Sequence, residues 1–249
     1  GPGSEDPGQV LIDYLPRLWL LDQAGYPPDT LYFMVPDHLP GGLVAVVQAL
    51  GIPPDRLVRY AHWREVIRTD LLLLPTILRR HQRLSPAFGP ATRFWTAHMR
   101  RTLGLPAPEP LESLYIRDPN LNNPVLRNGA RIEAIAERRG YRIAVLDRMG
   151  LAERAALLSR AGRIVGPCAP ALRHSVFAAP GAIVCAMRGT EQPQAALQTG
   201  LCHALDQRCG LVFGPNDAGG FTIDETNFRR ALDFIELPQD ETTDAGEAS

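Results

Sequence analysis

The sequence predicts an α/β protein of two Rossmann-like lobes, each with a parallel sheet, and a cleft between them. Three observations carry that prediction. Short apolar runs alternate with amphipathic helical stretches through the second half. A less regular version of the same alternation fills the first half. The proline-rich stretch Leu105-Pro-Ala-Pro-Glu-Pro110 divides the two and reads as an extended linker, with a hinge near residue 108. Strands separated by helices of this length make βαβ units, whose sheet is covered on both faces.

In chain order, Val10–Gln23 reads as a helix interrupted at Pro16. Leu31–Val35 is strand-sized, Leu43–Leu50 helical and Leu57–Tyr60 a strand. Leu71–Leu74, bounded by Pro75, is expected to be a buried strand, and Ala91–Leu103 a helix. After the linker, Ser113–Arg117 is a short buried strand. Val125–Arg139 is a helix with Ile132, Ile135 and Ala136 on one face. Arg142–Leu146 is a strand, Leu151–Arg160 a helix and Arg163–Val165 a strand. Gly166-Pro167 turns the chain into a helical stretch near Ala171–Phe177. Ala182–Ala186 follows the Pro180-Gly181 turn as a strand. Ala195–Gln207 is a helix, Leu211–Phe213 a strand and Glu225–Ile235 the last helix.

Composition sets the bounds. The 249 residues are 45% hydrophobic and 21% charged, as in ordinary globular chains. All 26 Lys+Arg residues are Arg, so Schiff-base and P-loop lysine chemistry are excluded. Cationic work falls to guanidinium, which stays protonated and forks onto carboxylate or phosphate. A net charge of -1 argues against a general nucleic-acid binder. Residues 237–249 are expected to be an acidic disordered tail, with Asp240, Glu241, Asp244 and Glu247 and no base. Gly1-Pro2-Gly3-Ser4 reads as a cleavage and cloning scar. No apolar run reaches the roughly 20 residues of a membrane span, and no signal peptide is visible, so a cytoplasmic location is expected. Cys168, Cys185, Cys202 and Cys209 show no metal-binding spacing; Cys202-His203 with Cys209 reads as a helix face, and no metal or other cofactor is expected.

The most informative segment is Arg163-Ile-Val-Gly-Pro-Cys-Ala-Pro-Ala-Leu-Arg-His-Ser-Val-Phe177. It places a strand, a tight turn and small residues opening a helix, where unpaired backbone N–H groups form an anion site. A generic strand-to-helix turn looks the same.

The order of short motifs resembles glycosyltransferase family 61. The motifs are Leu114-Tyr-Ile-Arg117, Arg127-Asn128, Gly140-Tyr141, Leu151-Ala-Glu153-Arg154 and the stretch Ala161–His174, followed by Phe177, Pro180-Gly181 and Phe221-Thr-Ile-Asp224. In the first half, Asp13-Tyr-Leu-Pro-Arg17-Leu-Trp-Leu-Leu21 is similar to the family's leucine-rich entry segment. The likeness runs over about residues 9–236 and lies in collinearity. It implies a GT-B-like fold, with an acceptor lobe at residues 5–108, shorter than usual, and a nucleotide-sugar donor lobe at 109–236. It implies inverting, metal-independent transfer to a glycan or lipid-linked acceptor in surface polysaccharide assembly. Pairing with a second copy or another chain would use an exposed sheet edge of the short N-terminal lobe.

The resemblance also implies roles. Asp13 is the candidate base, or else a carboxylate organising Arg17. Arg117 meets the leaving diphosphate, or forms a surface salt bridge. Gly166, Pro167, Cys168 and Ala169 form the phosphate cradle, with Arg173 and His174 beside it. Asn128 and Glu153 belong to the donor site, Glu153 alternatively capping its helix. The chain departs from the family pattern where its histidine falls on Cys168, its Gly-Ala-Gly on Ala169-Pro170-Ala171, an acid on Gly129, a glutamine on Arg154 and a His-Trp pair on Gln9-Val10. Loss of the histidine and the acid keeps a second reading open, a non-catalytic module binding a partner chain or glycan. A third is another Rossmann-lobed enzyme, such as a nucleotide-sugar modifier. Trp63, Trp95 and His98 would pack in helices or meet an acceptor sugar. The basic cluster Arg79, Arg80, His81 and Arg83 is a solvated loop or a contact for an anionic polysaccharide, a lipid phosphate or the inner face of a membrane.

Overall fold

The computed structural model describes residues 7–39, 41–61, 64–118, 125–191, 195–217 and 219–237. The expected scar, Trp63 and the tail beyond Leu237 lie outside the described residues. The chain opens with α1 (Pro7–Gln9), a π-helical turn (Val10–Tyr14) and, past Pro16, α2 (Arg17–Gln23). The wide turn carries Val10, Leu11, Ile12 and Asp13 all into the interior, which an ordinary helix face does not do. Next come β1 (Phe33–Pro36), α3 (Gly41–Ala49) and β2 (Leu57–Tyr60). The two strands pair in parallel, so α3 is their crossover. A small antiparallel pair, β3 (Arg79–Arg80) and β4 (Arg83–Leu84), leads into α4 (Phe88–Thr102).

The second half supplies β5 (Glu112–Ile116), β6 (Val125–Leu126), α5 (Gly129–Arg138), β7 (Arg142–Ala144), α6 (Leu151–Ser159) and β8 (Ala161–Pro167). A 3-10 helix (Pro170–Phe177), β9 (Ile183–Gly189), α7 (Ala195–Ala204), β10 (Arg208–Gly214), β11 (Asn216–Asp217), β12 (Gly220–Phe221) and α8 (Glu225–Glu236) complete it. Five strands form one sheet in the order β10-β9-β8-β5-β7, every pair parallel. Numbered by their order in the chain, these strands lie 2-1-3-4-5, a doubly wound Rossmann-like arrangement.

Strand alternation sorts the side chains into two cores. Leu114, Ile116, Ile164, Val184 and Ala186 face one; Tyr115, Val165, Ile183, Cys185 and Met187 face the other. Ile132 and Ile135 of α5 and Phe228 and Leu232 of α8 cover the second face. The first face takes α6 and α7, and also Val10, Leu11, Ile12, Phe88, Trp95 and Met99 from the first half. Burying a side chain such as Phe88 or Met99 fully is worth about 1.5–3 kcal/mol. The Trp95 ring meets the Phe177 ring edge-on at 5.6 Å.

Several expectations change. One core cluster runs through both halves, because among the described residues the N-terminal helices have only two small two-stranded sheets of their own and bury apolar side chains on the larger one. The linker does not act as a free hinge at its far end: Glu109 and Leu111 N–H groups bond the Ser159 and Arg160 carbonyls at 2.9 Å. Leu71–Leu74 is neither strand nor core, with Leu71, Leu72 and Leu74 being 58%, 60% and 83% exposed. That run has Pro75 at its end and, among the described residues, no partner strand to give its backbone bonds. The helix expected from Val125 begins at Gly129, because Val125–Leu126 pairs with β12.

The halves meet closely where α4 starts. A Cβ on Gly89 would stand 2.2 Å from the Ala204 carbonyl oxygen at the end of α7. Gly89→Ala is therefore expected to lower stability by about 1–3 kcal/mol in urea unfolding, through forced separation of the two helices. An unchanged midpoint would mean that this approach is not needed.

Candidate functional site

In sheets of this order, ligands bind outside the carboxyl ends of the strands where the chain reverses direction across the sheet. Here that point lies between β5 and β8. Arg117 follows the last residue of β5, and Gly166–Ala169 ends β8. The strands are tightly apposed: a Cβ on Gly166 would lie 2.7 Å from the Ile116 carbonyl oxygen, so only glycine fits. The fold therefore brings the expected diphosphate residue and the expected cradle to one sheet edge.

The side chains divide by face. Arg117 follows Tyr115 in alternation and turns toward α5, where its Nε and Nη2 clasp the Glu133 carboxylate. This is the salt bridge that the sequence left as an alternative, with a partner the sequence did not reveal. Asn128, on the same side, has both amide atoms committed to Ile223: Nδ2 donates to its carbonyl at 2.7 Å and Oδ1 accepts its N–H at 3.2 Å. It fixes the start of α5 to the loop before α8.

The opposite face carries the rest. Glu153 accepts the Gly150 N–H at 2.8 Å and so caps α6. Cys168 is partly buried; burial pushes its thiol up, while the nearby Arg188 and Arg173 charges pull it down. The backbone cradle is largely occupied. Cys168 N–H bonds the Met187 carbonyl at 2.7 Å and Ala169 N–H the Pro167 carbonyl at 2.8 Å, while Pro167 and Pro170 have no N–H. An anion at this edge needs its donors from side chains.

Arg173 reaches back to the N-terminal segment, its Nη1 donating to Gln9 Oε1 at 3.1 Å. Gln9 Nε2 donates to Asp13 Oδ2, and Arg79 forks onto both oxygens of Asp13. Asp13 is only 6% exposed. It thus organises Arg79, not Arg17, whose guanidinium lies 5.2 Å over the Tyr14 ring. With both carboxylate oxygens bonded, Asp13 in this conformation is a brace between the N-terminal segment and the Arg79 hairpin.

His174 is 2% exposed. Its Nδ1–H donates to the Ala171 carbonyl at 3.1 Å, and Nε2 accepts from Arg154 Nη1 at 3.2 Å. Burial, reinforced by the Arg154 charge, lowers its pKa to about 4, so the ring is neutral near pH 7. It supports the 3-10 helix from beneath and offers no atom to a ligand. Trp95 is wholly buried in packing, and His98 bonds the Leu50 carbonyl at 2.8 Å. His98 also lines a cavity of about 370 Å³ in the first half, with Asp22, Arg56 and Phe94.

The family model for Glycosyltransferase 61 matches residues 8–185. The chain belongs to this family. The match starts at α1 and ends inside β9, short of the residue 236 that the motifs suggested. It includes the Asp13 brace, both sides of the β5–β8 edge and the cradle. Glycosyltransferase-like function in general follows from it. No curated protein matches the chain. Among the described residues no cluster of His, Cys, Asp or Glu could hold a metal ion, and no helix is long and apolar enough to cross a membrane.

Glu133 and Arg188 carried no expected role, though Arg188 is a lone charge in the otherwise uncharged strand Ile183–Gly189. Arg79 was expected as part of a solvated basic loop or an anionic contact, and instead it is partly buried against Asp13.

Two outcomes follow. Asp13→Asn leaves the partly buried Arg79 without its counter-charge and is expected to cost about 1–3 kcal/mol of stability in chemical denaturation; an unchanged midpoint would show the brace to be dispensable. The folded His174 pKa lies below its unfolded value, so the unfolded chain binds the extra proton between pH 6.5 and about 4. Stability is therefore lost as pH falls through that window, by about 3 kcal/mol from this group. In His174→Leu the slope of unfolding free energy against pH should flatten there; an identical slope would refute the assignment.

Proposed function

We propose that this chain is an inverting, metal-independent glycosyltransferase that moves a sugar from a nucleoside-diphosphate donor to a hydroxyl of a glycan or lipid-linked acceptor, in surface polysaccharide assembly. The observation that carries the reading is the 2-1-3-4-5 sheet, whose reversal point holds Arg117 beside the Gly166–Ala169 turn. The five-stranded sheet would serve as the donor lobe of a GT-B-like pair, and the N-terminal half would contribute the acceptor side.

The roles follow from the chemistry. Departure of a nucleoside diphosphate leaves charge on the phosphate oxygens, which fixed cations stabilise. Arg117 supplies one, its Nη1 not being used in the Glu133 pair. The turn at Gly166–Ala169 lies at the same sheet edge, where Gly166 lets β8 close up against Ile116 of β5. Asn128, Glu153 and His174 hold the surrounding elements in register. Asp13 could act as base only after Arg79 releases an oxygen. Where the family pattern has histidine, Cys168 offers a partly buried thiol, a poorer proton carrier.

The commitment of Asp13 to Arg79 specifically favours a second reading, a GT-B-like module that binds a glycan or partner without turnover. Calorimetric titration with a panel of nucleoside diphosphates separates the two. The transferase reading expects binding that Arg117→Ala weakens about tenfold or more, and donor hydrolysis that Cys168→His raises. No binding of any nucleoside diphosphate would leave the second reading standing.

A further inference from the structure

Arg188 is 7% exposed, yet no carboxylate among the described residues pairs with it. Its Nε donates to the Gly189 carbonyl at 3.1 Å, and its guanidinium lies 5.4 Å over the Phe213 ring, which is its cross-strand partner. Its two terminal nitrogens make no hydrogen bond within the described residues, and they are not among the sealed, unsatisfied atoms. They therefore open toward the surface at an otherwise closed position. Arg79 differs in being clamped by Asp13, and the partly buried Arg154 differs in bonding through both Nε and Nη1, to the Met149 carbonyl and the His174 ring.

A desolvated cation without a counter-charge is costly. A lysine in this place could shed its proton; a guanidinium cannot. The position recurs in no packing role that needs the charge, since Val184 and Ala186 on the same strand face are apolar core. The surroundings suit an anion. Arg188 ends β9 at the carboxyl edge of the sheet, next to Met187, whose carbonyl holds Cys168 N–H. The Cys168 thiol senses both Arg188 and Arg173. With the backbone donors of residues 168 and 169 already used, an anion at this edge would be met by the terminal nitrogens of Arg188.

We propose that Arg188 is the buried half of an oxyanion site at the carboxyl edge of β8 and β9, on the sheet face opposite Arg117, taking a phosphate group of the donor. The identity of the anion rests on the transferase reading; the presence of the site does not. The fork offers two terminal N–H groups to two oxygens of one phosphate, and the Phe213 ring keeps water from its face.

Titration of the full chain with inorganic pyrophosphate, UDP and GDP, in a phosphate-free buffer, tests this. Arg188→Met is expected to weaken pyrophosphate binding about tenfold or more, while leaving the ligand-free melting temperature unchanged or raised, since no ion pair is lost. Arg188→Lys keeps a charge but not the fork, and should bind with intermediate affinity. A lowered ligand-free melting temperature in both variants would mark Arg188 as structural and overturn the proposal. So would equal pyrophosphate affinity in the wild type and both variants, or no anion binding by the wild type. If UDP or GDP binds wild type and Arg188→Met alike, the transferase reading stands and the site falls. If pyrophosphate binding depends on Arg188 but neither nucleotide binds more tightly than pyrophosphate, the site stands and the transferase reading falls.

Discussion

Strand β8 is hydrogen-bonded on both sides and covered on both faces, so each of its side chains has only two directions available. That constraint propagates. Its neighbours β5 and β9 run parallel in fixed register, and their alternation sends Tyr115 and Met187 to one core and Ile116 and Ala186 to the other. At the carboxyl edge the same alternation separates Arg117 from Arg188. The two guanidinium groups thus lie on opposite faces, Arg117 against Glu133 of α5 and Arg188 over the Phe213 ring of β10. Gly166 makes the arrangement possible, because a side chain there would push β8 off Ile116.

The chain carries all its fixed positive charge on guanidinium, and the structure uses it in two ways. Arg117 with Glu133, Arg139 with Asp233 and Glu236, and Arg79 with Asp13 are paired and hold elements together. Arg154 and Arg188 instead bond neutral groups, a histidine ring and carbonyls. Burial and the Arg154 charge keep the His174 ring neutral, so the ground beneath the turn is an uncharged scaffold carrying permanent charges around it.

The second-half strands at Ser113, Arg163 and Ala182 were readable because buried parallel strands are short, apolar and bounded by turns. Leu71–Leu74 carried the same signature and is exposed coil, since a run of leucines says nothing about whether a partner strand exists. Arg117 and the Gly166 turn were found because a βα turn has a local sequence form. Glu133 was not, because its partner Arg117 lies 16 positions away, and Arg79 showed only as part of a basic cluster, because its partner Asp13 lies 66 positions away. Gln9 joins Arg173, 164 positions on, which no local pattern specifies. His174 was placed at the site by its neighbours in sequence, but a 3-10 helix turns it inward to Ala171 and Arg154.

By itself the sequence determined the doubly wound character of the second half, its exclusive use of arginine, and the turn at Gly166-Pro167. These are properties of periodicity, composition and local backbone restriction, which short stretches of chain encode directly. Only the tertiary structure decided which strand lies beside which, that the N-terminal helices share the sheet's core, and which charges are left without a counter-charge. Those depend on pairing between segments far apart in the chain, where burial and the partner's identity, not the residue alone, set what a side chain does.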